Sequence, residues 1–203
     1  MKHPDKITLN LHGQKGAALL AFMLIMITGA SFLLISKINK ERIDRENITE
    51  TYRSLERAKQ ALIGFALTLP ERSTASPRPG PGYLPCPDAD NDGTAELACG
   101  GGGVVSTGRI PYRTLEEDVL VDDSGQVLWY ALSPEYRNIG ARFTPLNSDT
   151  VGQITLDGQN DIVAVIIAPG PALGQLGQDR AADFNDISNY LENDNQDGNN
   201  SFI

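Results

Sequence analysis

Ala17 to Ser36 reads AALLAFMLIMITGASFLLIS, twenty residues without a charge. At about 1.5 Å of rise per residue, such a run makes a helix roughly 30 Å long, the thickness of a bilayer's hydrocarbon core. A helix inside a soluble domain would show polar positions at helical spacing, and this run shows almost none. A secretory signal is shorter, with roughly 7–15 apolar residues before a small-residue cleavage site. Thr28-Gly29-Ala30-Ser31 imitates such a site, so a cleaved signal stands as the alternative to a retained membrane helix.

Downstream, Lys37 to Leu69 holds no Pro and one Gly, Gly64. Ile48, Tyr52 and Leu55 keep the i, i+4, i+7 spacing of one helical face, and Leu62, Ala66 and Leu69 repeat it. Residues 37–69 therefore extend the apolar helix of 17–36 as an amphipathic half, with the Ile48/Leu55/Leu62 face set for burial, and Pro70 ends the pattern. Lys2, Lys6 and Lys15 flank the apolar run on one side and Lys37, Lys40, Arg42 and Arg45 on the other, so loop charge does not choose an orientation.

The whole chain has 203 residues, 40% hydrophobic and 21% charged, which fits neither a disordered tail nor a polytopic membrane protein. Its net charge of −9 argues against nucleic acid as a partner. The charge is uneven: residues 1–69 carry ten Lys and Arg against six Asp and Glu, net +4, and residues 70–203 carry seven Arg against twenty acids, net −13. No Lys follows Lys59, and both histidines, His3 and His12, precede the apolar run. The distal part thus offers no Ser-His-Asp or Cys-His set, too few Cys and His for a tetrahedral zinc site, and no Lys to make a P-loop of the Gly100–Gly103 run. Glu116-Glu117 is a carboxylate pair without a recognisable pocket, so no enzymatic activity is expected.

The leader MKHPDKITLNLHGQKG, the Gly16 before the apolar run and the amphipathic continuation resemble a type IV pilin or a type II secretion pseudopilin. The resemblance covers residues 1–69. It implies that a prepilin peptidase removes residues 1–16 by cutting between Gly16 and Ala17, that the new amino terminus is methylated, and that the subunit waits in the bacterial inner membrane, single-pass with its head in the periplasm, before joining other pilin or pseudopilin subunits through the helix. Two positions depart from the family: Ala17 replaces the usual aromatic, and the fifth mature residue is Ala21, where most members have Glu. The missing Glu implies a minor, low-copy or tip subunit. The run from Tyr83 to Gly108 followed by RIPYRTL is similar to uncharacterised pseudopilin-like proteins, without a known activity.

Residues 70–82, PERSTASPRPGPG, read as an extended connection to an acidic globular head over 83–203. Cys86 and Cys99 are the only cysteines; in an exported domain they form a disulfide, and in a reducing compartment they stay as thiols. Between them, Asp88, Asp90 and Asp92 with Gly93 fill positions 1, 3, 5 and 6 of a calcium loop. The Thr94 carbonyl and Glu96 would add ligands, but Cys99 stands where a bidentate Glu belongs, so a solvated Asx-rich turn competes with calcium. Asn193, Asn195, Asp197 and Gly198, with Asp194 between, echo the same template more weakly.

Strand patterns fill the rest. Gln126–Leu132 follows an Asp122-Asp123-Ser124-Gly125 turn. Val151–Leu156, a turn at Asp157–Asn160 and Ile162–Ala168 read as a hairpin. Trp129 and Tyr130 read as core residues in preference to a ligand platform. A short helical turn is expected around Asn185–Leu191, and the apolar end Ser201-Phe202-Ile203 leaves open a further strand. The expected fold is α+β: a long amino-terminal helix whose second half lies on a small antiparallel sheet. The competing function is a membrane-anchored calcium-binding or sensing module that never polymerises.

Overall fold

A computed structural model describes residues 15–99, 104–139, 146–196 and 199–203. The leader before Lys15 and the Gly100–Gly103 run lie outside the described residues. The chain divides into two compact units, Met1–Glu46 and Asn47–Ile203. The fold is α+β, with one long helix and two small sheets among the described residues.

Helix α1 runs from Lys15 to Arg72. In the first unit it carries the one stretch among the described residues long and apolar enough to cross a membrane, Leu19–Ile38, whose large side chains are exposed. Two hydroxyls in that stretch are satisfied within the helix. Thr28 Oγ1 donates to the carbonyls of Leu24 and Ile25, and Ser31 Oγ donates to that of Ile27. In a hydrocarbon layer without water this self-satisfaction removes the cost of a bare hydroxyl.

In the second unit the helix buries Ala58, Leu62, Phe65 and Leu69. These follow the 3.6-residue period, and Leu55, Ala61 and Ala66 pack beside them. The expected face was displaced: Ile48 and Tyr52 are 55% and 69% exposed. The head meets the helix only from about Leu55 onward with its main core, so earlier apolar positions have nothing broad to cover them. Full burial of each Leu or Phe contributes about 1.5–3 kcal/mol. Arg57 pairs with Glu117 at 2.6 Å and Arg72 with Glu116 at 2.9 Å along the rim; each pair has one member more than half exposed and is worth at most about 1 kcal/mol.

The helix passes Pro70 by one turn, so residues 70–72 are helical and the connection begins at Ser73. Proline lacks the N–H that would bond the carbonyl four residues back, which is Ala66. The N–H of Gly82 bonds that carbonyl instead, at 2.9 Å. Gly82 sits at φ +99°, a backbone shape that favours glycine.

The head begins its first sheet with β1 (Ser106–Arg109), β2 (Trp129–Leu132) and β5 (Ala164–Ile167), in the spatial order β1-β2-β5, all antiparallel. The second sheet has β4 (Gln159–Ile162), β3 (Ile154–Leu156) and β6 (Ser201–Phe202), with β3 antiparallel to β4 and parallel to β6. The expected hairpin is thereby corrected. Its turn is Asp157-Gly158 alone, both at positive φ, and its second arm is the polar Gln159–Ile162. The apolar run that follows changes sheets after Ile162 and pairs with β2.

The first sheet is covered on both faces, which is why β2 and β5 read as unbroken apolar runs. Leu128, Tyr130 and Leu132 pack with Leu62 and Phe65 on the helix side. Ala131 and Val165 meet Ile154 and Phe202 of the second sheet on the other, and Trp129 meets Tyr190 and Leu191. Trp129 and Tyr130 are core residues, as expected. The turn near Asn185–Leu191 is a short 3-10 helix at Ile187–Asn189, capped by the Asp186 carboxylate accepting from the Ser188 N–H.

Candidate functional site

The best-defined polar constellation is the loop from Cys86 to Cys99, which a disulfide closes. Locking a loop of this size contributes about 3 kcal/mol by the chain-entropy argument. Its entry is pinned to β1: the N–H of Asp88 donates to the Arg109 carbonyl at 2.9 Å and the Arg109 N–H returns a bond to the Asp88 carbonyl at 2.8 Å. Gly108 permits this approach, because a Cβ there would lie 2.7 Å from the Asp88 carbonyl oxygen.

Asp88 is fully buried, and both of its oxygens are used. Oδ1 accepts from the Asn91 N–H and Oδ2 from the Gly93 N–H, each at 2.7 Å. Burial nevertheless outweighs these bonds and pushes its carboxyl above the usual range, with the nearby Asp92 and Asp90 charges adding to the rise. Gly93, at φ +86°, makes the sharp bend expected at position 6, over the ring of Tyr112. Asp90 is exposed and accepts from the Asp92 N–H at 3.2 Å. Glu96 reaches back across the loop to accept from the Ala89 N–H at 3.2 Å.

Of the four expected carboxylate ligands the fold brings three together. One carboxylate oxygen each from Asp88, Asp90 and Glu96 lies within 4.8 Å of the others, close enough to share a cation. Asp92 is not part of this carboxylate group. The Asp92 carboxylate accepts from both the N–H and the hydroxyl of Thr94, at 2.6 and 2.5 Å, which holds its carboxyl below the usual range. These bonds are those of an Asx-rich turn, so the loop has a hydrogen-bonded framework of its own, with three convergent oxygens on it. Hard oxygen donors of this type suit calcium or magnesium over a thiophilic metal.

In the weaker second template, Asn193 and Asn195 form a short 3-10 turn, while Asp197 and Gly198 lie outside the described residues. Asn195 instead ties down the chain end, donating to the Ile203 carbonyl and accepting its N–H. The expected cleavage point, Gly16–Ala17, falls in the first turns of α1.

Sequence reasoning passed over Arg109. It is 3% exposed and stands against three rings, with its guanidinium carbon 5.1 Å from the centroid of Trp129, 5.2 Å from Tyr190 and 5.7 Å from Phe184. It donates to the Phe184 carbonyl and, at 3.1 Å, to Asn185 Oδ1. Arg180 covers the Tyr190 ring at 4.5 Å and donates to the Asn189 and Gly170 carbonyls. Two arginines on Tyr190 thus hold residues 184–190 against the sheet. The sequence signal was an isolated Arg beginning RIPYRTL, with side-chain hydrogen-bond partners 75 and more residues away.

Comparison of the chain with models of protein families, with curated proteins and with solved structures returns no match.

Proposed function

We propose that this chain is a structural minor subunit of a type IV pilus or type II secretion pseudopilus, held in the bacterial inner membrane before assembly with its head in the periplasm. The observation that carries this reading is helix α1. It bears an exposed apolar span at Leu19–Ile38 and, in its last third, a face packed on a β-sheet of the head. A cleaved secretory signal has no use for such a continuation. The disulfide of the head fits an oxidising compartment. Prepilin peptidase is the processing partner, cutting after Gly16 and exposing Ala17 for methylation. Other subunits meet the helix, without catalysis.

Ala21 bears on the place in the filament. An unpaired amino-terminal charge in a low-dielectric helix bundle is costly, and a neighbour's Glu would compensate it. A subunit with Ala21 offers no such group to the subunit ahead of it, which fits a tip or low-copy position. The test is mass spectrometry of the mature amino terminus from native membranes, beside the Gly16→Leu variant. Methylated Ala17 in the native protein and unprocessed precursor in the variant are expected. An unchanged mature mass in the variant removes the main support for the reading.

The convergent Asp88, Asp90 and Glu96 oxygens favour a second reading, a membrane-anchored calcium-binding or sensing module that does not polymerise. Absence from purified filaments, together with a calcium-dependent stability, would favour it over the first.

A further inference from the structure

The first sheet ends in an open edge. Beyond β5 no further strand pairs, among the described residues. The direction of its free groups follows from the ladder. The Ser133 N–H donates to the Val163 carbonyl directly opposite, so residues 163, 165 and 167 bond toward β2. The N–H and C=O groups of Ala164 and Ile166 therefore point outward, and nothing among the described residues bonds them.

Beside this edge lies an apolar groove of 430 Å³ between β5 and the helix, lined by Leu62, Ile63, Leu67, Val163 and Ile166. A second hollow of 300 Å³ continues it along the same pair of elements, between Ile48 and Tyr52 of the helix and Ala168 and Gly170 after the strand. Leu67 and Tyr52 are 68% and 69% exposed along this line. Unpaired backbone donors and acceptors beside apolar hollows are the features that accept an added strand.

Charge narrows the occupant. Exposed Asp161 stands at one end of the line and exposed Asp123 at the other. Among the described residues that line the two hollows the one cation, Lys59, is paired with Glu56 at 3.5 Å. The residues from 70 onward add a net −13. A second copy presenting the same strand antiparallel would bring the same acids to the contact, and it would turn its own helix against the direction of the first.

We infer that the β5 edge and its groove receive an extended segment of a partner protein, alternating apolar residues and flanked by Lys or Arg, as a fourth strand of the first sheet. This site holds whether or not the subunit enters a filament. The probe is an eight-residue peptide of alternating valine and threonine between terminal lysines, with a glutamate-ended twin. Each is fluorescently labelled and titrated into the full chain in uncharged detergent micelles. The lysine-ended peptide should bind at least tenfold more tightly than the twin and slow hydrogen exchange at Ala164 and Ile166.

Ala164→Pro removes an outward N–H at the first residue of a strand, where proline is tolerated, and should weaken binding at least tenfold. The double variant Asp123→Lys, Asp161→Lys changes only exposed positions and should reverse the preference between the peptides; it decides alone if the proline variant fails to fold. Equal affinity for both peptides, no binding of either, or binding unaltered in both variants overturns the inference. A dimer in sedimentation that Ala164→Pro disrupts also overturns it, because a second copy would then hold the edge.

Discussion

Replacing Asp88 and Asp90 one at a time separates what holds the acidic loop together from what would hold an ion. Asp88 is buried and accepts two backbone N–H groups. Truncating it to Ala leaves the Asn91 N–H, which is exposed and rehydrates, and the Gly93 N–H, which is buried and does not. A buried donor without a partner costs about 1–3 kcal/mol. The lost charge-assisted bonds add to this, and relief from burying the carboxylate offsets part, leaving about 2 kcal/mol. For a head of this size that lowers the melting temperature by roughly 4–8 °C. Asp88→Asn keeps one acceptor and should lose about half as much. Asp90→Ala, in contrast, removes one weak exposed bond and should stay within about 0.5 kcal/mol in chelator. If calcium binds the three convergent oxygens, millimolar calcium raises the melting temperature of the native chain, and Asp90→Ala abolishes that rise. The assay is thermal unfolding of the oxidised full-length protein in micelles, followed by near-ultraviolet circular dichroism, with chelator and with calcium. An Asp88→Ala variant that melts within 1 °C of the parent in chelator would refute the argument that this carboxylate frames the loop.

Leu62→Ala should cost about 2–4 kcal/mol, because the side chain is 5% exposed between helix and sheet; chemical denaturation measures it, and a loss under 1 kcal/mol would mean the helix face does not anchor the head. Replacing Cys86 and Cys99 together by Ser should cost about 3 kcal/mol and leave the loop open to protease in the unheated protein; unchanged cleavage and melting would show that Asp88 suffices alone. Carboxyl NMR against pH should find Asp88 protonating at higher pH than Asp92 or Asp186, the latter two being held down by hydrogen bonds from Thr94 and Ser188. The sign for stability follows. Asp88 gains stability as pH falls through its raised folded value, whereas Asp92 and Asp186 lose theirs as pH falls further through their lowered ones. Asp88 protonating last would refute the burial argument.

The helix, the disulfide loop and the buried strand Trp129–Leu132 were legible because each rests on a local signal: a long apolar period, a cysteine pair, a bounded apolar run. The hairpin was misread at Ile162, where the apolar run continues through a change of sheet. Periodicity counts apolar neighbours and does not record which sheet covers them. The helix boundary was misplaced because the Ala66 carbonyl, which Pro70 cannot bond, takes a donor from distant Gly82 and so lets the helix continue. Of the acidic loop, the bend at Gly93 was readable from spacing, but the capture of Asp92 by Thr94 was not, since a short hydroxyl beside an acid serves equally as neighbour or competitor. Ile48 and Tyr52 kept the period of a buried face and lie largely in solvent, because a helix pattern fixes a direction and not the length of its partner.

Arg109 has a bearing on where the head can work. Most buried cations are compensated by carboxylates, and acid dissolves such pairs by protonating the anion. Among the described residues no carboxylate pairs with Arg109. Its charge is met by ring faces and by carbonyl and amide oxygens, none of which titrates in the acidic range. The Arg109 contacts to residues 184–190 are therefore indifferent to acidity and, being desolvated, weakly screened by salt. Acid would thus loosen this segment at the Asp183 and Asp186 carboxylates, which accept from Asn185, Asp186 and Ser188, while Arg109 keeps its grip on Phe184 and Tyr190.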